Sequence, residues 1–129
     1  MKKILITMVA IHFMWAGWAL ADSGIVETHR DAIQTAMANH IKDVSEKNGN
    51  GMFPIYNPAQ RTVVQLKFDR FHDSVEIKGR NYPYFISCAD FTDKNGVKYD
   101  LDFLVSKNHE VVAVLIHAIN NKKTSYDIH

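Results

Sequence analysis

An apolar stripe between residues 22 and 46 predicts one amphipathic helix. The apolar positions recur at three-, four- and seven-residue spacing, which is the period of one helix face. Asp22 or Ser23 can cap the first turn by accepting backbone N–H bonds. The Asn-Gly-Asn-Gly segment at 48–51 ends the helix, because both residue types tolerate the left-handed backbone conformation. The stripe consists of Val26, Ile33, Met37, Ile41 and Val44.

From residue 61 onward the hydrophobic period changes to two, which predicts strands. A hairpin turn is expected at 93–96, since Gly96 can supply a positive φ. Lys107-Asn108 predicts the next tight turn, and the polar tail from Asn121 is expected to fray. The strands are expected at 62–71, 74–78 (a short charged strand or arm), 82–92, 97–106 and 109–120.

Residues 52–60 are expected to form an irregular connection. Pro54 and Pro58 exclude a central strand, because proline cannot donate a hydrogen bond to the sheet ladder. The other residues from 52 to 56 are too apolar for a free linker. We therefore expect this segment to pack on the domain as a lid over one end of the sheet.

One helix followed by hairpin-linked strands predicts a single α+β domain over residues 22–129. The connections are too short for parallel crossovers, so the sheet is expected to be an antiparallel meander of four to five strands. The N-terminal helix is expected to cover one face of it. This arrangement is similar to cystatin-like and NTF2-like folds, and a similarity of fold alone implies no function.

Residues 1–21 have the three parts of a secretory signal in order. Lys2 and Lys3 form the positive region, 4–18 form an apolar run, and Ala19-Leu20-Ala21 is a small-x-small cleavage site. The alternative is an uncleaved membrane anchor, although the run is short for a span of about 20 residues. The pattern is typical of a Gram-negative exported protein, which predicts the periplasm and no membrane association after cleavage.

Composition narrows the function without naming it. The chain has 129 residues, 47% of them hydrophobic and 22% charged, which is typical of a globular protein. Removing Lys2 and Lys3 with the signal changes the formal net charge from +1 to −1. A nucleic-acid partner is therefore not expected, because phosphate binding needs a basic surface.

Cys88 is the only cysteine, so no intrachain disulfide can form. In an oxidising compartment its thiol must be buried, paired with another chain, or reactive. Its neighbours Ile86, Ser87 and Ala89 indicate a strand interior, which favours burial as a small hydrophobe.

The second half of the mature chain resembles a group of small exported bacterial proteins. The resemblance rests on Cys-Ala-Asp-Phe at 88–91, Tyr-Asp-Leu-Asp-Phe at 99–103 and a closing Ile116-His117. It implies a shared strand–turn–strand unit and an exported α+β domain. It implies no catalytic role for any residue.

The hairpin around Gly96 holds the candidate site. Asp100 and Asp102 are two apart in a strand and so share one face. A three-residue loop would pair Asp90 with Asp100 and Cys88 with Asp102, whereas a four-residue loop would move Asp90 to the core side. The three-residue register is preferred because its opposite face forms the better apolar core. That core face would hold Phe85, Phe91, Tyr99, Leu101, Phe103, Val112, Val114 and Ile116.

The second turn brings a histidine to the same face. A two-residue turn at 107–108 would pair Asp100 with Leu115 and leave His117 diagonal to Asp100. The candidate ligand-binding residues are therefore Asp90, Asp100, Asp102 and His117. An apolar band shares that face, which is typical of a surface covered by a ligand, a lid or a second subunit. The band consists of Leu104, Val111, Ala113, Leu115 and Ile119.

Three interpretations of this face stay open. It can be a solvated face neutralised by Lys98 and Lys67, a surface for a small ligand or a protein partner, or a metal or acid/base site. No motif of fixed spacing commits a residue to catalysis or to a metal, so we predict no catalytic residue, no metal ligand and no cofactor.

The sequence therefore favours a periplasmic, non-enzymatic binding or interaction module, with a homodimer as one way to cover the apolar band. The alternative is a small NTF2-like enzyme with an Asp as general base and His117 assisting. His72-Asp73 is interpreted as a turn with a cap or surface pair.

Export tests the first of these predictions. The full chain produced in a Gram-negative host is expected in the periplasm, with Asp22 as its first residue. N-terminal sequencing and the intact mass of the periplasmic fraction measure this. An intact mass that retains residues 1–21 in the membrane fraction would instead identify an anchor.

Overall fold

The computed structural model describes residues 17–79 and 84–126, with side chains described from His29 onward. The predicted signal up to residue 16, the predicted turn residues 80–81 and the terminal His129 lie outside the described residues. In the described part of the chain no helix is long and apolar enough to cross a membrane. The elements are α1 Gly17–Lys47, β1 Phe53–Asn57, β2 Thr62–Lys78, β3 Tyr84–Thr92, β4 Lys98–Ser106, β5 Val111–Ile119 and β6 Lys122–Lys123.

The strands form one antiparallel meander in the order β1-β2-β3-β4-β5-β6. The α+β class and the antiparallel sheet are confirmed, and the predicted helix at 22–46 lies within α1. The predicted count of four to five strands is too low. The additional strands are β1, in the segment predicted to be irregular, and β6, in the tail predicted to fray. The strands predicted separately at 62–71 and 74–78 form the single strand β2.

β1 is an edge strand that pairs only with β2 in the described sheet. An edge strand needs no hydrogen bonds on its outer side, so Pro54 is accommodated opposite Gln65. Phe53 is 3% exposed, and its ring centroid lies 5.3 Å from that of Phe91 and 6.2 Å from that of Phe103. The side chain of Phe53 therefore points to the core face of the sheet.

The β3–β4 hairpin has the predicted three-residue loop. Gly96 has a φ of 80°, and its N–H donates to the carbonyl of Asp93 at 3.1 Å. The N–H of Asp93 in turn donates to the carbonyl of Val97 at 3.0 Å, which closes the loop. This loop sets the register between β3 and β4, in which Asp90 pairs with Asp100.

The β4–β5 turn differs from the prediction of two residues. The N–H of His109 donates to the carbonyl of Ser106 at 2.9 Å, and the N–H of Ser106 donates to the carbonyl of Glu110 at 2.8 Å. His109 has a φ of 61°, so it takes the left-handed position of a three-residue loop. The longer turn begins a β5 register that the sequence does not predict.

Two irregularities interrupt the pairing of β5 with β4, one between Asp100 and Leu101 and one between Leu104 and Val105. As a result Asp102 pairs with Leu115, and Asp100 pairs with Ala118 rather than with Leu115. An extra residue in one strand changes which face each following side chain occupies. The predicted β5 register is therefore wrong.

The same irregularities exchange residues between the two faces. Val112 is 62% exposed, although the sequence predicts it in the core. Val111 and Ile119, predicted on the acidic face, pack against the core instead. The remaining predicted core residues lie in or against the core: Phe85, Phe91, Tyr99, Leu101, Phe103, Val114 and Ile116.

α1 covers this core face. Ile33 and Met37 are fully buried, and Ile41 is nearly so. His40, which directly precedes Ile41 in α1, packs edge-on against Phe53 and Phe103. Burial lowers the pKa of His40, with Asp43 opposing the shift. The imidazole thus contributes to the core as an aromatic group.

The chain after β5 is tied down as far as residue 126. Asn120 and Asn121 both have a positive φ, which allows a two-residue turn into β6. The N–H of Thr124 then donates to the carbonyl of His117 at 2.8 Å. The predicted fraying at 121–126 is wrong because this turn folds the tail back onto β5.

A core truncation tests the packing. Leu101→Ala is expected to lower the free energy of unfolding by about 2–5 kcal/mol, because Leu101 is fully buried. Val112→Ala is the matched control in the next strand and is expected to cost less than about 1 kcal/mol. Urea unfolding of the exported chain measures both, and equal losses would contradict the assigned faces.

Candidate functional site

The candidate site lies on the sheet face opposite α1. There β3 and β4 pair Asp90 with Asp100 and Cys88 with Asp102, as the three-residue loop predicts. Because side chains alternate along a strand, these four point away from the core that their neighbours form. We call this surface the acidic face, and define it by Cys88, Asp90, Asp100, Asp102 and two histidines described below.

Asp102 is the most buried acid of the face, with 4% of its surface exposed. One carboxylate oxygen accepts a hydrogen bond from the thiol of Cys88 at 2.7 Å. The other lies 2.9 Å from Nδ1 of His117. A carboxylate this buried needs such partners, since an unpaired buried charge is strongly unfavourable.

His117 reaches Asp102 because of the longer β4–β5 turn and the irregular pairing of β5. The turn and the irregularity between Leu104 and Val105 pair Leu115, rather than the predicted Ala113, with Asp102. His117, two residues after Leu115, therefore lies beside Asp102 instead of diagonal to Asp100. The ring of Tyr126 lies edge-on to the imidazole, with centroids 6.4 Å apart. The described end of the chain therefore helps to position this histidine.

Cys88 is partly exposed rather than buried as a small hydrophobe. Burial raises the pKa of its thiol, and the hydrogen bond to Asp102 and the charges of Asp102, Asp100 and Glu76 raise it further. The sulfur is thus a protonated donor at neutral pH. A thiol in this state is a poor nucleophile, because the thiolate is the reactive form.

Asp90 is engaged on both carboxylate oxygens. Nε2 of His72 lies 2.7 Å from one, and Nε of Arg70 lies 2.9 Å from the other. Burial alone raises the pKa of Asp90, but the hydrogen bonds from His72 and Arg70 outweigh it, so that the net pKa lies below its usual value. Asp90 is therefore held as a carboxylate.

His72 lies in a continuous strand rather than in the predicted turn. β2 runs through 62–78 with pairing irregularities between Phe68 and Arg70 and between Phe71 and Val75. Gln34 of α1 donates to the backbone carbonyl of His72 at 3.1 Å. Irregularities of this kind redirect side chains, and here the imidazole is directed onto the acidic face.

Asp100 is the exception among the three acids. Its Oδ1 is buried and has no hydrogen-bond partner among the described residues. Burial raises the pKa of Asp100; His72 and His117 oppose the shift, whereas Asp102 and Asp90 add to it. An unsatisfied buried oxygen is rare in a folded protein and calls for an explanation.

Two cavities of about 380 Å³ each divide the acidic face. One contains His72, Asp90 and Asp100 together with Arg70 and Lys98. The other contains Cys88, Asp102, His117 and Tyr126 among its lining residues. A third cavity, of about 480 Å³, lies between the end of β1 and β5 and is mostly apolar.

The expected lid does not cover the acids. Residues 52–56 are absent from the described lining of both acidic cavities. Ile55 and Tyr56 line the apolar cavity instead, together with Leu115 and Ile119 of the predicted apolar band. The segment does not reach the acids because β1 is an edge strand of the sheet and the side chain of Phe53 is buried in the core, on the face opposite the acids.

The acidic face brings together ligand atoms of three kinds. One ligand atom each from His72, Cys88 and Asp100 lies within 4.8 Å of the others. Sequence reasoning missed His72 and Arg70, because their positions depend on irregular pairing of β2. Cys88 carried a detectable signal, since the hairpin register already places it opposite Asp102.

A thiol-reactivity measurement tests the Cys88–Asp102 contact. Asp102→Asn is expected to speed alkylation of Cys88 at about pH 8.5, because Asp102 raises the pKa of the thiol and its removal increases the thiolate fraction. The thiolate fraction rises roughly tenfold for each unit that the pKa falls, and the rate rises by less because a less basic thiolate is a weaker nucleophile. Glu110→Gln, which removes an exposed acid elsewhere, is the control and is expected to leave the rate unchanged. Equal rates for wild type and Asp102→Asn would contradict the contact.

Comparisons of the chain with models of known protein families, with characterised proteins and with solved structures gave no match.

Proposed function

We propose that the chain is an exported, non-enzymatic binding module that holds a small, positively charged ligand on its acidic face. The observation that carries the proposal is the unequal engagement of three neighbouring carboxylates. Asp90 and Asp102 are each held by two side chains, whereas a buried oxygen of Asp100 has no partner among the described residues. Asp100 is thus the acid left to bind a ligand.

The surroundings of Asp100 favour a cation as that ligand. Asp90 of β3 lies directly opposite Asp100 of β4, and Asp102 lies two residues after Asp100 on the same face. Burial raises the pKa of Asp100 and these two acids add to the shift, whereas His72 and His117 oppose it. A positively charged ligand would stabilise the ionised carboxylate of Asp100. A negatively charged ligand would destabilise it.

Export to the periplasm belongs to the same proposal. Its support is the charged start, apolar run and small-residue cleavage site of residues 1–21. A cystatin-like arrangement is likewise inferred from one helix packed across an antiparallel meander sheet. Neither inference assigns chemistry to the acidic face.

A second candidate function is a small enzyme with Asp100 as general base. The raised pKa of Asp100 favours it, because a base is most effective when its pKa lies near the working pH. Against it, His117, the predicted assisting group, is already engaged by Asp102. An imidazole held by another acid does not assist Asp100, so we favour binding.

Native mass spectrometry of the chain isolated from the periplasm tests the binding proposal. A bound small mass is expected in the wild type and is expected to be lost in the Asp100→Asn, Asp102→Asn double variant. Asp100→Asn alone is examined in parallel, because Asp102 also holds Cys88 and His117 in place. Circular dichroism establishes that each variant is folded.

The matched control removes two acids from the opposite side of the molecule. Asp31 and Glu46 are exposed on α1, so Asp31→Asn with Glu46→Gln changes the net charge equally. That variant is expected to keep the bound mass. A wild-type spectrum without any bound mass would overturn the proposal. A dimer without bound mass would indicate a subunit interface on the residues of the apolar band that do not pack against the core, Leu104, Ala113 and Leu115.

A further inference from the structure

We infer that the acidic face contains a binding site for one divalent transition-metal ion, with His72, Cys88 and Asp100 as its protein ligands. This inference rests on the proposed binding function and names its ligand class. The three residues come from β2, β3 and β4, which are adjacent in the sheet. One nitrogen, one sulfur and one oxygen atom lie within 4.8 Å of one another.

The spacing suits an ion after a small contraction. Bonds of about 2.0–2.3 Å around a tetrahedral Zn²⁺ separate neighbouring ligand atoms by roughly 3.3–3.8 Å. The three ligand atoms lie within 4.8 Å of one another, so the contraction needed is at most about 1.5 Å. The strand pairing of β3 and β4 already holds Cys88 and Asp100 on one face of the sheet.

The hydrogen-bond partners of each ligand suit metal binding. The Nε2 of His72 is taken by Asp90, so the lone pair of the neutral ring is at Nδ1. A carboxylate that holds the far nitrogen of a metal-binding histidine is a recurring arrangement, because it orients the ring. Asp90 is itself held by Arg70 and is therefore the orienting residue rather than a fourth ligand.

Cys88 and Asp100 complete the set. The thiol of Cys88 donates to Asp102, which thereby aims the sulfur along the acidic face. Metal binding would replace that proton, forming a metal–sulfur bond and releasing H⁺ to solvent. Asp100 supplies a carboxylate oxygen, and its Oδ1 is buried without a partner among the described residues. A metal ion would give this oxygen its missing partner.

The donor set selects the class of ion. A sulfur and an imidazole nitrogen favour a borderline-soft ion such as Zn²⁺ or Co²⁺. Ca²⁺ and Mg²⁺ prefer six or more oxygen ligands and are not expected to bind tightly here. Three protein ligands would leave one position of a tetrahedral ion open, as in sites that exchange a ligand.

No short sequence motif indicates this site. The ligands lie at positions 72, 88 and 100, and the strand pairing rather than the spacing brings them together. The irregular pairing between Phe71 and Val75 is the step that delivers His72. The sequence predicts no metal ligand because it has no metal-binding motif. The pairing of β2, β3 and β4 nevertheless brings three ligand atoms together.

Titration of the exported chain, without a histidine tag, with Co²⁺ and then Zn²⁺ tests the inference. We expect one ion per chain, a thiolate-to-cobalt charge-transfer band in the near ultraviolet, and displacement of cobalt by zinc. Calorimetry in two buffers of different ionisation heat is expected to show proton release on Zn²⁺ binding. Ca²⁺ and Mg²⁺ serve as the hard-cation probes.

Variants assign the ligands. Cys88→Ser is expected to abolish the charge-transfer band, and Asp100→Asn and Asp90→Asn are each expected to weaken Zn²⁺ binding by about tenfold or more. His29→Gln is the control, since His29 contacts Phe85 and His109 rather than the acidic face. Circular dichroism again establishes folding, and Cys88→Ala replaces Cys88→Ser if the serine variant is unfolded.

The failure of the metal and the failure of the binding function are distinguishable. Absence of the cobalt band, or a band that survives Cys88→Ser, would overturn the metal site. If native mass spectrometry then still finds an organic mass lost on Asp100→Asn, the binding function stands with another ligand. Tight Ca²⁺ binding without any thiolate band would also overturn the assignment, since it requires oxygen ligands alone.

Discussion

The three-residue loop closed by Gly96 is the constraint on which the other features of the sheet depend. Its positive φ sets the pairing of β3 with β4, and a one-residue slip in that pairing would exchange the two faces of β3. In the observed register Phe91 and Phe103 lie in the core under α1. The same register places Cys88, Asp90, Asp100 and Asp102 on the opposite face.

Burying part of that opposite face imposes a second requirement. A half-buried carboxylate needs partners, because its charge has lost much of its water. Asp102 and Asp90 obtain theirs from Cys88, His117, His72 and Arg70. Among the described residues, the buried Oδ1 of Asp100 has no such partner, which is rare in a folded protein.

The irregular strands supply the two histidines. In a regular strand only every second side chain lies on a given face of the sheet. The pairing shifts in β2 and β5 change this alternation and bring His72 and His117 beside particular acids. The long β2 also reaches back to pair with β1, whose Phe53 closes the core. Local departures from ideal pairing thus position the side chains that give the acidic face its chemistry.

Much of the architecture could be predicted without coordinates. The spacing of Ile33, Met37 and Ile41 indicated the helix face, and apolar residues at every second position from Tyr99 to Val105 indicated a strand with one face in the core. The Asp93–Gly96 turn then favoured the register that pairs Asp90 with Asp100 over the alternative with Asp90 on the core side. These predictions held because helix and strand periods and tight turns are decided by neighbours in the chain.

The contacts of His72 and His117, the exposure of Val112 and the edge strand β1 were decided only by the tertiary structure. A local pattern does not encode where a strand gains an extra residue, since that position reflects packing against strands distant in sequence. Proline at 54 excluded a central strand but left an edge strand open. The sequence by itself therefore determined which face carries the acids, and the tertiary structure decided which groups meet them, because pairing between distant strands sets those contacts.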